Sequence, residues 1–143
     1  MNTQIVRNWM TSNPITITLQ TTLPEARRLM DEHLVRRLPV IHKGKLVGIV
    51  TRGDIREAQA STATTLSVYE LNYMLDNLPA KEFMAYEPIT ISADATIAEA
   101  ARRMQQHKIG ALPVVEYGEL VGIITESDLC RLLITQPEYL AKA

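Results

Sequence analysis

The amino-acid sequence predicts an α/β (α+β) fold made of two pseudo-twofold-related repeats, each running strand, helix, strand, strand, helix. Two observations carry this reading. First, Pro14-Ile15-Thr16-Ile17 recurs as Pro88-Ile89-Thr90-Ile91, and the same shift of 74 residues runs without a gap from pair 10/84 to pair 55/129, with 21 identities in 46 pairs. Second, within each copy the apolar pattern passes from alternation to helical spacing and back to short apolar runs. Two copies are too few for a solenoid, so the expected arrangement is a pair in which each half covers the apolar face of the other.

Each element has a local cause. Ile15 and Ile17 alternate with Thr16 and Thr18 after Pro14, which marks a short strand. Thr22 with Glu25 three residues on predicts a capping box, in which each side chain satisfies an orphan backbone donor at a helix start. Ala26, Leu29, Met30 and His33 or Leu34 then recur at helical spacing. The second copy keeps the device as Thr96 and Glu99, followed by Ala100, Met104 and His107. The apolar runs 38–41 and 46–50 are split by His42-Lys43-Gly44-Lys45, a hairpin with glycine in its loop. Its counterpart joins 112–115 to 120–124 through Glu116-Tyr117-Gly118-Glu119. Both final strands run into Thr-x-x-Asp and an apolar residue, so a helix is expected from Arg52 or Gly53, and again from Glu126 or Ser127.

The repeats are assigned to residues 7–60 and 80–135, with a linker over 61–79. Residues 58–65 are rich in Ala, Ser and Thr, and Ser67-Val68-Tyr69-Glu70 supplies a further capping box ahead of Leu71, Met74, Leu75 and Leu78. Pro79 ends that helix. Tyr69 and Tyr73 are expected to pack rather than to extend a dimer surface, and the tail after Pro137 to fray.

Composition narrows the function classes. With 143 residues, 46% hydrophobic and 22% charged, the chain is an ordinary globular one; at 5% aromatic its core must be aliphatic. Aliphatic runs reach about five residues against the roughly 20 of a membrane span, and residues 1–10 lack a signal peptide's apolar stretch, so a cytoplasmic location is expected. A single cysteine, Cys130, excludes an intramolecular disulfide and multi-cysteine metal sites, and is expected to pack as a small apolar residue. The net charge of −1 gives no general drive toward nucleic acid or anionic membrane. Residues 1–60 nevertheless hold nine Lys/Arg against five Asp/Glu, and residues 83–143 five against eight, so any anion preference leans on the first part.

Two copies of Gly-aliphatic-aliphatic-Thr-x-x-Asp, ending at Asp54 and Asp128 and each preceded by Leu-Pro-Val, together resemble a tandem pair of cystathionine-beta-synthase (CBS) domains, a Bateman module. The resemblance covers most of the chain, and its specificity lies in the ordered set repeated at one spacing. It implies a regulatory module that holds an adenosine-containing ligand in clefts related by the pseudo-twofold axis, dimerises, and signals to a regulated protein by conformational change. With no second domain accompanying the pair, the chain resembles a stand-alone sensor rather than an enzyme. AMP, ADP, ATP, S-adenosylmethionine and NAD share adenosine and differ in the tail, and the sequence does not choose among them. No obligatory cofactor is implied.

The resemblance also assigns residues. Asp54 and Asp128 would accept charge-assisted hydrogen bonds from the vicinal ribose hydroxyls, with Thr51 and Thr125 on ribose or phosphate and the helix N-termini offering amides to phosphate. The competing reading is that each Thr-x-x-Asp only caps its own helix. By resemblance the base slot comes from the other half: Ile89, Gly110, Ala111 and Leu112 for the Asp54 cleft, with Arg52 near the phosphates; Ile15, Arg36, Arg37 and Leu38 for the Asp128 cleft, with Ser127 at the helix start. Arg36 and Arg37 suit bidentate phosphate contact, which makes the Asp128 cleft the expected polyphosphate site, against Glu126 beside the same turn. Unequal affinities follow.

Other chemistry lacks its residues. His33 and His107 have no acidic or thiol partners at ligand spacing and are read as helix C-terminal residues rather than metal ligands. Neither a catalytic triad nor a phosphate-binding glycine loop is present. Nucleic-acid binding would rest on Arg27, Arg28, Arg36, Arg37, Lys43 and Lys45 without an aromatic stacking platform, and is disfavoured. The alternative function is a constitutive protein-interaction module whose clefts are structural.

Overall fold

The computed structural model describes residues 4–61 and 67–138, so the second half of the low-complexity stretch 58–65 and the end of the tail lie outside the described residues. The fold is α+β: β1 (Thr11–Ser12), α1 (Leu23–His33), β2 (Arg37–His42), β3 (Lys45–Thr51), α2 (Arg52–Ser61), α3 (Val68–Asp76), β4 (Ala85–Tyr86), α4 (Ile97–His107), β5 (Ala111–Glu116), β6 (Glu119–Thr125) and α5 (Glu126–Thr135). The strands form two antiparallel three-stranded sheets, ordered β2-β3-β4 and β1-β6-β5.

The compact units are offset from the sequence repeats. One unit comprises residues 15–88; the other joins residues 1–14 to residues 89–143. The segment preceding each repeat's apolar core is thus exchanged: β4 pairs with β3 (Gly48↔Tyr86, Ile49↔Ala85), and β1 pairs with β6 (Thr11↔Ile123, Ser12↔Gly122). Two glycines make room for it. A Cβ on Gly48 would stand 2.6 Å from Met84 Sδ and 2.9 Å from the Ala85 carbonyl oxygen; one on Gly122 would stand 2.5 Å from Met10 Sδ and 2.8 Å from the Thr11 carbonyl oxygen.

The strands expected at Ile15–Ile17 and Ile89–Ile91 shrink to single parallel bridges, Ile17↔Val40 and Ile91↔Val114. In the first unit the chain turns at once, with the Thr18 amide donating to Thr21 Oγ1 and the Thr21 amide to the Thr18 carbonyl, so no ladder can propagate. Both hairpins close through two-residue loops, Lys43-Gly44 and Tyr117-Gly118, with positive φ at both positions, the conformation whose twist matches the flanking strands.

Helix starts follow the sequence, but two of the expected boxes, at Ser67 and Thr96, are half-made. Thr22 and Glu25 form the reciprocal box. Thr96 and Ser67 accept from the amides of Glu99 and Glu70, while the Glu99 carboxylate turns to Arg102 and Arg103. A surface ion pair competes there with the second half of the box. Leu34 leaves the helical face altogether: it is the left-handed C-cap of α1 and 91% exposed.

Each unit has its own core. In residues 15–88 it gathers Leu23, Ala26 and Met30 of α1 with Leu38, Val40 and Val50 of the sheet and Phe83 and Met84 of the exchanged segment. In the other unit Val6 of the N-terminal segment joins Ile97, Ala100 and Met104 of α4 with Leu112, Val114, Ile124 and Leu132. Two sequence expectations fail on helix faces. Cys130 is exposed, because α5 turns Asp128 and Leu132 inward and leaves residue 130 on the opposite side. The linker helix α3 buries no residue, and Tyr69 and Tyr73 are 86% and 73% exposed rather than packed. Among the described residues no helix is long and apolar enough to cross a membrane.

Candidate functional site

Each unit carries one copy of the Thr-x-x-Asp turn, at the point where its long strand feeds a helix. In residues 15–88 the Thr51 amide donates to Asp54 Oδ2 at 2.9 Å, and the Asp54 amide donates to Thr51 Oγ1 at 3.0 Å. In the other unit the Thr125 amide donates to Asp128 Oδ2 at 2.9 Å, and the Thr125 hydroxyl lies 3.3 Å from the same oxygen. The first turn is thus a reciprocal capping box, and the second likewise sets the Thr125 side chain against the Asp128 amide and the Asp128 carboxylate against the Thr125 amide. The capping reading is thus realised in the fold, and it holds each carboxylate at a fixed angle at the mouth of its helix.

The same turns use up part of the helix N-terminus. The Arg52 amide donates to the Arg36 carbonyl at 3.1 Å, and the Glu126 amide to the Gly110 carbonyl at 3.0 Å. These bonds tie the start of each helix to the residues just before Leu-Pro-Val. Only the second helical position of each, Gly53 and Ser127, keeps its amide outside these bonds. A phosphate would meet fewer open donors here than an uncapped helix end provides.

The remaining site residues divide between the units. With Thr51 and Asp54 lie Ile15 (half-buried), Arg36 (exposed), Arg37 (half-buried, paired across the ladder with Thr51) and Leu38. With Thr125 and Asp128 lie Ile89 and Ser127 (exposed), Gly110 (half-buried), Ala111 (paired with Thr125) and Leu112. Leu38 and Leu112 are fully buried core residues of their own units, so their side chains are committed to packing. The Arg52 guanidinium pairs with Asp31 of α1 at 2.5 Å; at a partly exposed surface this costs little to give up.

One contact at the candidate site escaped sequence reasoning. Asp128 is 9% exposed, and its Oδ1 accepts from Arg131 Nη2 at 3.2 Å. That guanidinium also donates to the Trp9 carbonyl at 3.0 Å and lies 4.9 Å from the Trp9 ring centroid, a cation–π contact. The repeat register, carried two positions beyond pair 55/129, sets Glu57 opposite Arg131. That charge reversal was readable, but only a structure shows that the position touches the aspartate.

A family model described as CBS domain matches residues 6–61 and 80–135. The chain belongs to the CBS domain family. It is 34% identical to a CBS domain-containing protein of Dictyostelium discoideum over 132 residues, spanning 91% of each chain. It is 40% identical over 116 residues to an inosine-5'-monophosphate dehydrogenase of Korarchaeum cryptofilum, but spans only 21% of that enzyme's length. The likeness to this enzyme is thus confined to a CBS region. Among solved structures, the CBS domain pair of protein MJ0100, in complex with 5'-methylthioadenosine and S-adenosyl-L-methionine, matches with a TM-score of 0.80 at 28% identity, covering 94% of this chain and 99% of that one. The structure of CBSX2 in complex with AMP matches with a TM-score of 0.76 at 26% identity, covering 92% and 97%.

Proposed function

We propose that this CBS domain pair is a regulatory module that binds an adenosine-containing ligand, AMP, ADP or ATP in first place and S-adenosylmethionine as the alternative, and passes occupancy to a regulated protein. The observation that carries the reading is the pair of preorganised Thr-x-x-Asp turns in a chain whose structural relatives hold such ligands. Each carboxylate, fixed by its capping box, accepts from the 2'- and 3'-hydroxyls of ribose; because the cap has already restricted the side chain, little rotamer entropy remains to be lost on binding. Ile15, Arg36 and Arg37 with the backbone at Leu38, and Ile89, Gly110 and Ala111 with the backbone at Leu112, supply base and phosphate contacts, with Arg52 and Ser127 at the helix starts.

The two anchors differ in cost. Asp54 is half-buried, whereas Asp128 is nearly buried and shares one oxygen with Arg131. A ribose bound at Asp128 must compete for that bond, so Asp54 is the tighter ribose anchor and occupancy is stepwise. Signalling is bounded by the ligand's differential affinity for the two conformations it distinguishes. The module acts as a homodimer in the cytoplasm, and it performs no catalysis of its own.

The test is a thermal-shift panel of AMP, ADP, ATP, S-adenosylmethionine and NAD. A ligand at about 100 times its dissociation constant stabilises by about 2.7 kcal/mol, several degrees for a chain of this size. The shift should shrink in Asp54→Asn, whose amide oxygen can still cap while the charge-assisted bonds are lost. No shift with any of the five, with calorimetry equally silent, overturns the reading. The exposed face of α3, with Val68, Tyr69 and Tyr73, then favours the alternative of a constitutive protein-interaction module.

A further inference from the structure

A groove of about 400 Å³ on the unit of residues 15–88 is lined by Asp54, Glu57, Ala58 and Ser61 along one face of α2, and by Leu78, Glu82, Phe83 and Met84 of the exchanged segment. The repeat register maps these positions onto Asp128, Arg131, Leu132, Thr135, Gln4, Asn8, Trp9 and Met10 of the other unit. There the corresponding space is occupied from within: the Arg131 guanidinium lies over the Trp9 ring, donates to the Trp9 carbonyl and donates to Asp128. In the first unit the aspartate and an aromatic ring remain as Asp54 and Phe83, but the arginine is replaced by Glu57. Leu132 has become Ala58, Thr135 has become Ser61 and Trp9 has become Phe83, each a smaller side chain, which accounts for the open volume. Asn8 has become Glu82, which adds a second carboxylate.

We infer that this groove is a receptor for an external guanidinium group, that of an arginine side chain or of free arginine. The internal copy shows that the constellation of carboxylate, main-chain carbonyl and aromatic ring holds a guanidinium in this same fold. Removing the resident arginine and inserting Glu57 and Glu82 inverts the local charge and leaves the acceptors. Among the described residues neither glutamate makes an ion pair, so both remain available to an incoming cation. Nor, among the described residues, do three carboxylate, imidazole or thiol groups converge as a metal site would need. Separated carboxylates beside an aromatic ring instead match the planar fork of a guanidinium, which spreads its donors and stacks on ring faces. Glu57 and Glu82 would repel a polyphosphate, so in this groove, which shares Asp54 with the proposed adenosine site, a cationic guanidinium is favoured over a phosphate tail.

The test titrates the full chain, isotopically labelled and free of nucleotide, with N-acetyl-L-arginine amide and follows the backbone amides of Glu57, Glu82, Phe83 and Met84 by NMR. Saturable shifts are expected, with N-acetyl-L-lysine amide about tenfold weaker for want of the planar fork. Glu57→Arg restores the arrangement of the other unit, so it should fold and fill the groove with its own guanidinium, abolishing the shifts. Glu57→Gln with Glu82→Gln should weaken binding by about tenfold or more through lost charge-assisted bonds. Tighter binding of the capped amide than of free L-arginine assigns the groove to an arginine within a polypeptide; the reverse assigns it to the amino acid. Absence of saturable shifts, equal binding of the lysine analogue, or shifts unchanged in Glu57→Arg overturns the inference. Since no nucleotide is present, its failure would leave the adenosine reading untouched.

Discussion

Gly122→Ala tests whether the exchanged segment is held by steric fit. The added methyl would stand 2.5 Å from Met10 Sδ and 2.8 Å from the Thr11 carbonyl oxygen. Met10 is flexible and can swing aside, but Thr11 belongs to β1, and its backbone must retreat by about half an ångström or more to reach an ordinary contact. The retreat strains the Thr11↔Ile123 and Ser12↔Gly122 pairs, which are the whole of the β1–β6 ladder. Overpacking of this kind costs about 1–3 kcal/mol, against a gain of about 0.4–1 kcal/mol from the smaller unfolded-state entropy of alanine. The net expectation is a loss of about 1–2 kcal/mol, read as a lower urea midpoint and a fall in Tm of a few degrees. Gly48→Ala should behave alike, since Met84 and Ala85 crowd it in the same way. Adding Met10→Ala to Gly122→Ala should recover only the part of the loss due to the thioether. A midpoint unchanged or raised in both glycine variants would refute the claim that these residues are glycine to admit the exchanged strand.

Further variants separate the roles of the turns. Asp128→Ala removes a cap and leaves Arg131 without its carboxylate, so it should cost about 1–2 kcal/mol in chemical denaturation, more than Asp54→Ala at about 1 kcal/mol; equal costs would count against the Arg131 contact. Arg52→Ala breaks only a partly exposed pair with Asp31 and should move stability by less than about 1 kcal/mol while weakening a phosphorylated ligand relative to adenosine. Gly44→Ala forces a side chain onto a residue at φ +77° and should destabilise by about 1 kcal/mol with no effect on ligand affinity, measured by calorimetry.

Much of the architecture is legible in the sequence because its causes are local. The two-residue hairpin loops follow from Lys43-Gly44 and Tyr117-Gly118, and the helix starts from Thr22, Thr51, Thr96 and Thr125, each a short-range hydrogen-bond problem with one cheap solution. What escapes is non-local. Nothing near Thr11 or Ala85 announces that these residues pair with β6 and β3; the only trace is a glycine at 48 and at 122, and a glycine inside an apolar run has several meanings. The expected strands at Ile15 and Ile89 fail for the same reason in reverse, since alternation marks which side chains face inward but not whether a partner strand runs alongside. Leu34 and Cys130 show the limit of periodicity: one lies just past the helix end and the other just off its buried face.

The candidate site poses a different problem, because its residues serve two ends at once. A Thr-x-x-Asp pair that caps a helix and a Thr-x-x-Asp pair that grips ribose are the same letters, and the structure shows that the cap is made whichever is true. The cap and the grip are compatible, since a carboxylate whose Oδ2 is spent on the backbone still has lone pairs for a ligand and is held where a ligand can find it. The two turns themselves are alike. The positions around them have not stayed alike: Arg131 neutralises and partly occupies one carboxylate, while Glu57 and Glu82 add negative charge beside the other. Two nearly identical turns therefore sit in opposite electrostatic settings, and a ligand that binds both must bind them with different affinities and different salt dependence. A calorimetric titration that fits two equal, salt-independent sites would contradict that consequence directly.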